Sequence, residues 1–243
     1  MESFDIIPIP SIAVYSYLSS QTGDLQSPTV EKFIGNKAMP SILLVTSSPR
    51  GTESLSTKIA TEFVDKLKVQ HPGATVVTRD LGQNPIAHLD TVTTSAIRKP
   101  ADARNSEEAA AAKLSDELVA ELLAADTVVL ATGLINFNIY STLKSWIDNV
   151  ARAGMTFRYT AEGPQGLATG KKVYVVLSAA GIYSEGPAMA MNHAVPYLKT
   201  VLGFMGMTDV EVIYIEGTAF GPEAYEKAIA AAQDRTQQLA LAA

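Results

Sequence analysis

Cysteine is absent from all 243 residues. No disulfide framework, thiolate nucleophile, Cys-ligated metal or iron–sulfur cluster can therefore form, and any redox chemistry needs a borrowed cofactor. Histidine is scarce too: His71, His88 and His193 lie far apart, a poor basis for a dedicated metal site. The 19 Lys and Arg residues, outnumbered by 25 Asp and Glu for a net charge of -6, are scattered rather than massed. That argues against a nucleic-acid partner, which would need clustered cations for its phosphates. The longest apolar stretches, around Val128–Ile135 and Val173–Leu177, are too short to cross a bilayer, so no membrane partner is expected. Neither GxxxxGK[ST] nor GxGxxG occurs, which removes the signatures of a P-loop triphosphate site and of the usual dinucleotide fold. The first forty residues carry no Arg and no Lys before Lys32, unlike signal or transit peptides, and a cytoplasmic protein is the expectation.

What is present is apolar bulk: 47% of residues are hydrophobic, enough for a large core. After Pro40 short β-rich runs alternate with longer helical ones. Strands are predicted at Ile42–Thr46, Thr75–Thr78, Thr127–Ala131, Val173–Ser178 and Val210–Glu216, mostly continuous apolar runs of the kind a parallel sheet buries on both faces. Helices are predicted at Ser54–Val69, Glu107–Ala124 (apolar face Leu114, Leu118, Leu122), Ile139–Arg152, Asn192–Phe204 and Glu223–Leu241. This alternation reads as an α/β doubly wound sheet over residues 41–243, preceded by an extension over residues 1–40. The extension is either an arm packed on this body or on a second subunit, since Ile6, Ile7, Ile9 and Ile12 suit water poorly, or a loosely attached segment. The stretch Leu81–Asn105 has no clear period and reads as a surface excursion at the rim of the site.

In doubly wound sheets ligands bind beyond the carboxyl ends of the strands, where the strand order reverses. The loops to search are Ser47–Glu53, Thr132–Asn138 and Ala179–Pro187, all rich in small or polar residues. The first lies within "LLVTSSPRGTESLSTK", Leu43–Lys58, a strand running through hydroxyls into a helix. Free amides at a helix start, the helix dipole and nearby hydroxyls together suit a terminal monophosphate, and Ser48, Ser54, Ser56 and Thr57 supply such hydroxyls. The alternative is that Ser54 merely caps the helix.

Beyond Ser41 the chain resembles the FMN-dependent NADH-azoreductase family of flavodoxin-like proteins. The resemblance rests on "SSPRGTESLST", "DLGQNPIAHLD", "LINFN", "LKSWIDNVARAGMTFRYTAEGPQGLATGKK", "SAAGIYSEGP" and "YLKTVLGFMGMTDVEVIYIEG", of which the long ARAG-to-GKK run is the most specific. It implies a flavodoxin-like, five-stranded parallel sheet of order 2-1-3-4-5 with helices on both faces. It further implies FMN as bound cofactor, with Ser48, Ser54, Leu55 and Ser56 at the phosphate, Leu134, Ile135, Asn136 and Phe137 along the ring, and Ser178, Ala179, Ala180, Gly181 and Ile182 at its other edge. Phe157, Tyr159 and Phe204 fall where the family places substrate-pocket aromatics; core or interface packing is their other reading. His193 is a conceivable proton donor or a surface residue. The implied activity is ping-pong transfer of two electrons from NADH or NADPH to quinones and azo compounds, in a homodimer, without catalytic side chains and without metal.

Three departures from the family pattern stand out. Gly133 and Ile135 take the places of a Pro and a Tyr, Ala179 and Ala180 stand where Arg-Gly is common, and Leu55 replaces a frequent Gln. The missing Arg removes a positive charge near the flavin. Two further classes follow: a single-electron carrier without a nicotinamide site, or a dimer that has lost its flavin.

Overall fold

A computed structural model describes residues 40–243. The roles offered above for the N-terminal extension fall on residues 1–39, outside the described part. Thirteen strands and helices of the described residues, in chain order, are β1 Ser41–Thr46, α1 Leu55–Gln70, β2 Thr75–Asp80, α2 Thr91–Ala96, α3 Ser106–Ala124, β3 Thr127–Gly133, α4 Ser141–Val150, β4 Phe157–Thr160, β5 Gly163–Gly166, β6 Lys172–Ser178, α5 Ala194–Phe204, β7 Asp209–Ile215 and α6 Pro222–Ala242. No helix among the described residues is long and apolar enough to cross a membrane.

The main sheet is fully parallel in the order β2-β1-β3-β6-β7. Set aside the small β4–β5 hairpin and this is the expected 2-1-3-4-5. Alternation along β1 divides the core: Leu43 and Val45 join Leu118, Leu122, Leu143, Trp146 and Leu198 on one face, whereas Ile42 and Leu44 join Ile59, Phe63, Leu67 and Ala232 on the other. Helices α3, α4 and α5 thus cover one face and α1 and α6 the other. Each fully buried Leu or Phe of these layers contributes about 1.5–3 kcal/mol. Because β1, β3 and β6 are covered on both sides, their sequences are continuously apolar; β2 is an edge strand and is largely exposed.

The sequence reading needs correction in three places. The buried face of α3 comprises Glu108, Ala112, Ser115, Leu118, Val119 and Leu122, so Leu118 and Leu122 face inward as expected, whereas Leu114 is exposed. The excursion over Leu81–Asn105 contains α2, capped by Asp90, and buries Ala96 and Ile97 against Ala112 of α3. It is further tied to α4, where the Ser145 hydroxyl donates to the carbonyls of Ile86 and Ala87. The TFRYT segment, unassigned above, forms the β4–β5 hairpin. Its base meets the end of α5 backbone to backbone, since a Cβ on Gly166 would lie 2.2 Å from the Gly206 nitrogen. The Ala168 amide also donates to the Met205 carbonyl at 2.9 Å.

Two polar arrangements, one buried and one at the surface, hold the frame. Arg104 and Arg152, both nearly inaccessible, share the Asp116 carboxylate at 2.5 and 3.0 Å, and Arg152 also donates to Ser115 Oγ and the Ile97 carbonyl. At the start of β1, Asp126 accepts from the Ser41 amide and hydroxyl at 2.8 and 2.9 Å. These bonds hold its carboxyl below the usual range.

Candidate functional site

The order of the strands reverses beside β1, and the loops leaving β1, β3, β6 and β7 converge there on a cleft of about 160 Å³. It is lined by Ser48, Arg50, Ser54 and Leu55 from the first loop, Gly133, Leu134 and Tyr140 from the third-strand side, Ser178, Ala179 and Ala180 after β6, and Thr218 after β7. Larger concavities exist, one of about 770 Å³ against Leu89–Lys99. It lies on the excursion after β2 rather than at the strand reversal, where ligands of doubly wound sheets bind.

The first loop is built by its hydroxyls. Ser54 caps α1 by accepting from the Thr57 amide at 3.3 Å, and its hydroxyl lies 3.2 Å from that of Ser56, which is fully buried. The amides of Leu55 and Ser56, in the first turn of α1, have no protein acceptor among the described residues, as helix geometry requires of a first turn. Arg50 is the only charged residue in the lining. Within a chain of net charge -6, this cleft wall carries a cation, a helix N-terminus and no carboxylate. Such a wall suits an anion.

A second loop stands fixed from behind. The Gly82 amide bonds Asp80 Oδ1, and a Cβ on Gly82 would sit 2.1 Å from the Ser48 carbonyl oxygen. The start of the excursion therefore abuts the first loop, at Gly82 and at Gln83, whose side-chain amide lies against Gly51, without entering the cleft lining.

After β3 the chain makes a tight turn. Ile135 and Asn138 exchange two backbone hydrogen bonds of 2.9 Å, and the residues between them, Asn136 (φ 46°) and Phe137 (φ 68°), both take left-handed backbone. Such turns favour Asn then Gly, so Phe137 is strained there, a cost that concentrates at functional loops. Ile135, Asn136 and Phe137 are exposed, and Phe137 meets Tyr183 edge-on at 6.3 Å. Opposite, the loop after β6 is pinned by the last strand. Glu216 accepts from the amides of Tyr183 and Ser184 at 3.0 and 3.1 Å, and the Gly217 and Ala219 amides donate to the Gly181 and Ala180 carbonyls.

Of the residues singled out in the sequence, Ser48, Ser54, Leu55, Leu134, Ser178, Ala179 and Ala180 thus line one cleft. Ser56 stands behind Ser54, and Ile135–Phe137 with Gly181 and Ile182 continue the two loops outward beyond the lining. Phe157, Tyr159 and Phe204 are not in the lining. They pack on one another, Phe157 at 4.4 Å from Phe204 and 5.6 Å from Tyr159. His193 is exposed, and its amide donates to the Phe137 carbonyl. The sequence reading missed Arg50, Tyr140, Glu216 and Thr218. Arg50 stood inside the quoted loop among better-known hydroxyls, and the fifth-strand loop was outside the search because the reversal rule looks to the middle of the sheet.

Residues 40–240 match the family described as having a flavodoxin-like fold. The FMN-dependent NADH:quinone oxidoreductase of Agrobacterium fabrum is 72% identical over 205 residues, 84% of this chain and all of that protein. Among solved structures, the azoreductase of Bacillus anthracis str. Sterne aligns with a TM-score of 0.77 at 34% identity, over 83% of this chain and 99% of that one. A further B. anthracis structure, an FMN-dependent NADH-azoreductase in complex with FMN, aligns with a TM-score of 0.74 at 27% identity, over 83% and 100%. Architecture, cleft and relatives agree, and the chain belongs to the flavodoxin-like family of FMN-dependent NADH:quinone oxidoreductases and azoreductases.

Proposed function

We propose that this protein is an FMN-dependent NADH oxidoreductase that reduces quinones and azo compounds, with residues 41–243 as its FMN-binding domain. The observation that carries the reading is the cleft at the strand reversal. Its wall offers free amides at Leu55 and Ser56, hydroxyls at Ser48 and Ser54, the Arg50 cation and no carboxylate. Those donors fit a phosphate monoester, and the two exposed loops beyond them leave room for a planar ring. Bound FMN would supply the two-electron chemistry, accepting a hydride from NADH and passing the electron pair to the oxidant.

The chain's own residues bind and orient. Ser48, Arg50, Ser54, Leu55 and Ser56 would hold the phosphate; Leu134–Phe137 and Ser178–Ile182 would flank the ring. Glu216 keeps the second of these loops in place, so bound FMN would meet a loop already fixed. No side chain of the cleft wall is a carboxylate or an imidazole, which agrees with a protein that positions reactants and leaves proton and hydride chemistry to the cofactor and its substrates.

The aromatic group Phe157, Tyr159 and Phe204 lies outside this cleft, and Tyr159 is 75% exposed. We assign it to a second copy's site in a homodimer, where an exposed ring would close the partner's cleft over the substrate. The exposed apolar side chains of Ile135, Phe137, Ile182, Met189 and Phe220 support such an interface. A cytoplasmic setting, where NADH is available, accompanies the reading. A single-electron carrier is disfavoured by the activity named for the relative 72% identical to this chain.

The test is an anaerobic absorbance titration of the FMN-reconstituted protein. NADH should bleach the flavin band within the mixing time scale of turnover, and menadione or an azo dye should restore it. A band that forms but does not bleach with NADH or NADPH points to the carrier, and a protein that takes up no FMN overturns the reading.

A further inference from the structure

Tyr140 breaks a local rule. It occupies the N-cap of α4, where Ser, Thr, Asn or Asp would accept from the free amides of the first turn, and its side chain makes no such bond. Its phenol enters no hydrogen bond with the other described residues, although the side chain is half-buried and lines the cleft. A polar group left unpaired at a cap that a smaller residue would serve better marks a position chosen for something other than folding.

The ring has turned back over the end of β3. A Cβ built on Gly133 would lie 2.8 Å from the phenol oxygen and 3.1 and 3.2 Å from Cε2 and Cζ. Gly133 needs no special backbone, since its φ is not in the left-handed region. What it provides is space. The bare α-carbon at 133 and the phenol at 140 are two halves of one fitting: the tyrosine fills the volume that any side chain at 133 would claim. Gly133 stands where the family pattern places a Pro, whose β-carbon would meet this ring. Across the cleft Ala179 and Ala180 bring no polar side chain, and the Thr218 hydroxyl is occupied by the Ala179 carbonyl at 3.1 Å. Apart from the Ser178 hydroxyl, the phenol is the free polar side chain on this side of the wall.

We propose that Tyr140 is a cofactor-contacting residue whose phenol hydrogen-bonds FMN held in this cleft, and that Gly133 lacks a side chain in order to admit it. The inference rests on the FMN reading above. Tyr140→Phe keeps the ring and removes the donor; FMN affinity should fall about five- to tenfold, as for loss of one hydrogen bond, with the apoprotein's melting temperature unchanged. Tyr140→Ser installs a capping side chain, so the apoprotein should melt higher while FMN binds more weakly, two effects that a purely structural tyrosine would not separate. Gly133→Ala displaces the phenol and should weaken FMN binding in the parent, yet add nothing in the Tyr140→Ser background, a non-additive cycle.

The measurement is quenching of FMN fluorescence on titration with apoprotein, alongside apoprotein melting and the bound-flavin absorption maxima. If the parent itself takes up no FMN, the functional reading fails and this inference with it. If the parent binds and Tyr140→Phe binds equally with an unshifted spectrum, the inference alone is overturned. Additive losses for Gly133→Ala and Tyr140→Ser, or lower apoprotein melting for Tyr140→Phe that accounts for its weaker binding, overturn it as well. A selective loss of affinity, a shifted spectrum and a non-additive cycle support it.

Discussion

Gly82 lies outside the cleft lining, yet substituting it should disable the cleft. A Cβ there would sit 2.1 Å from the Ser48 carbonyl oxygen and 2.9 Å from the Ser48 carbonyl carbon, with Asp80 Oδ1 at 3.2 Å. Ordinary contact begins near 3.4 Å, so Gly82→Ala requires a displacement of about 1.3 Å between two backbone segments. Neither segment is free to yield. The Leu81 amide donates to the Thr46 carbonyl at 2.8 Å, the Ser47 amide donates to the Ala131 carbonyl at 3.0 Å, and Asp80 holds the amides of Gly82 and Gln83. The φ of Gly82 is one that alanine adopts freely, so the cost is steric alone. Overpacking of this kind costs about 1–3 kcal/mol, or about 2–12 °C in melting temperature for a domain of this size. The strain falls on Ser48, so FMN affinity should drop at least tenfold, as for loss of one charge-assisted bond. Gly203→Ala is the control: it lies in α5 with nothing within 4 Å of its added carbon, and it should stabilise by about 0.5–1 kcal/mol with FMN binding intact. Melting curves and FMN titrations of the three proteins decide the matter. A Gly82→Ala protein that melts and binds FMN like the parent would refute the argument that residue 82 wedges the first loop.

Arg50→Gln leaves stability within about 0.5 kcal/mol, because the side chain is exposed. FMN affinity should fall about tenfold, and its salt dependence, measured between 20 and 500 mM salt (roughly the range over which screening changes most), should flatten. Phe137→Gly removes a residue held at φ 68° and should not lower apoprotein stability, while FMN binds up to about tenfold more weakly for want of an aromatic wall. Greater FMN affinity in that variant would contradict the placement of Phe137 beside the ring. Asp126 is held below the usual carboxylate range by the Ser41 backbone amide and hydroxyl, which outweigh its burial cost, with the nearby Lys171 charge adding least. Its folded value lies below its unfolded one, so its stabilisation is present above about pH 4 and fades as pH falls through the folded value. Asp126→Asn should melt lower at pH 7 and lose less on acidification than the parent, and parallel curves from pH 2 to 7 would sink that account.

The sheet was legible because burial wrote it into composition. β1, β3 and β6 lie between two helical layers and are apolar along most of their length, whereas β2, an edge strand, reads T-V-V-T-R-D; β2 and β3 both run two residues beyond their predicted ends. The hairpin was missed because Phe157–Thr160 pairs with G-P-Q-G, a strand that carries no β-forming residue and is defined only by its partner. Helix α2 was missed because T-V-T-T-S-A has a weak helical propensity and is held by its Asp90 cap and by packing on Ala112. At the site, hydroxyls before a helix were readable from local rules. The role of Glu216 was not, since it acts on amides more than thirty positions earlier in the chain. The Gly133–Tyr140 fitting hides for a related reason: two unremarkable residues acquire meaning only when the α4 start folds back on β3.

The contact of Gly166 with Gly206 has a consequence for redesign. Two bare backbones touch there, so the hairpin is hung on α5 by main chain and owes its placement to nothing on its outer surface. Arg158, Tyr159, Glu162 and Gln165 all face outward from this fixed mount. If the proposed homodimer sets Tyr159 over the partner's cleft, exchanging these four side chains should alter which dyes or quinones are accepted while leaving the sheet undisturbed. A methyl group at Gly166 would force the base of the hairpin away from the end of α5, since its carbon would stand 2.2 Å from the Gly206 nitrogen.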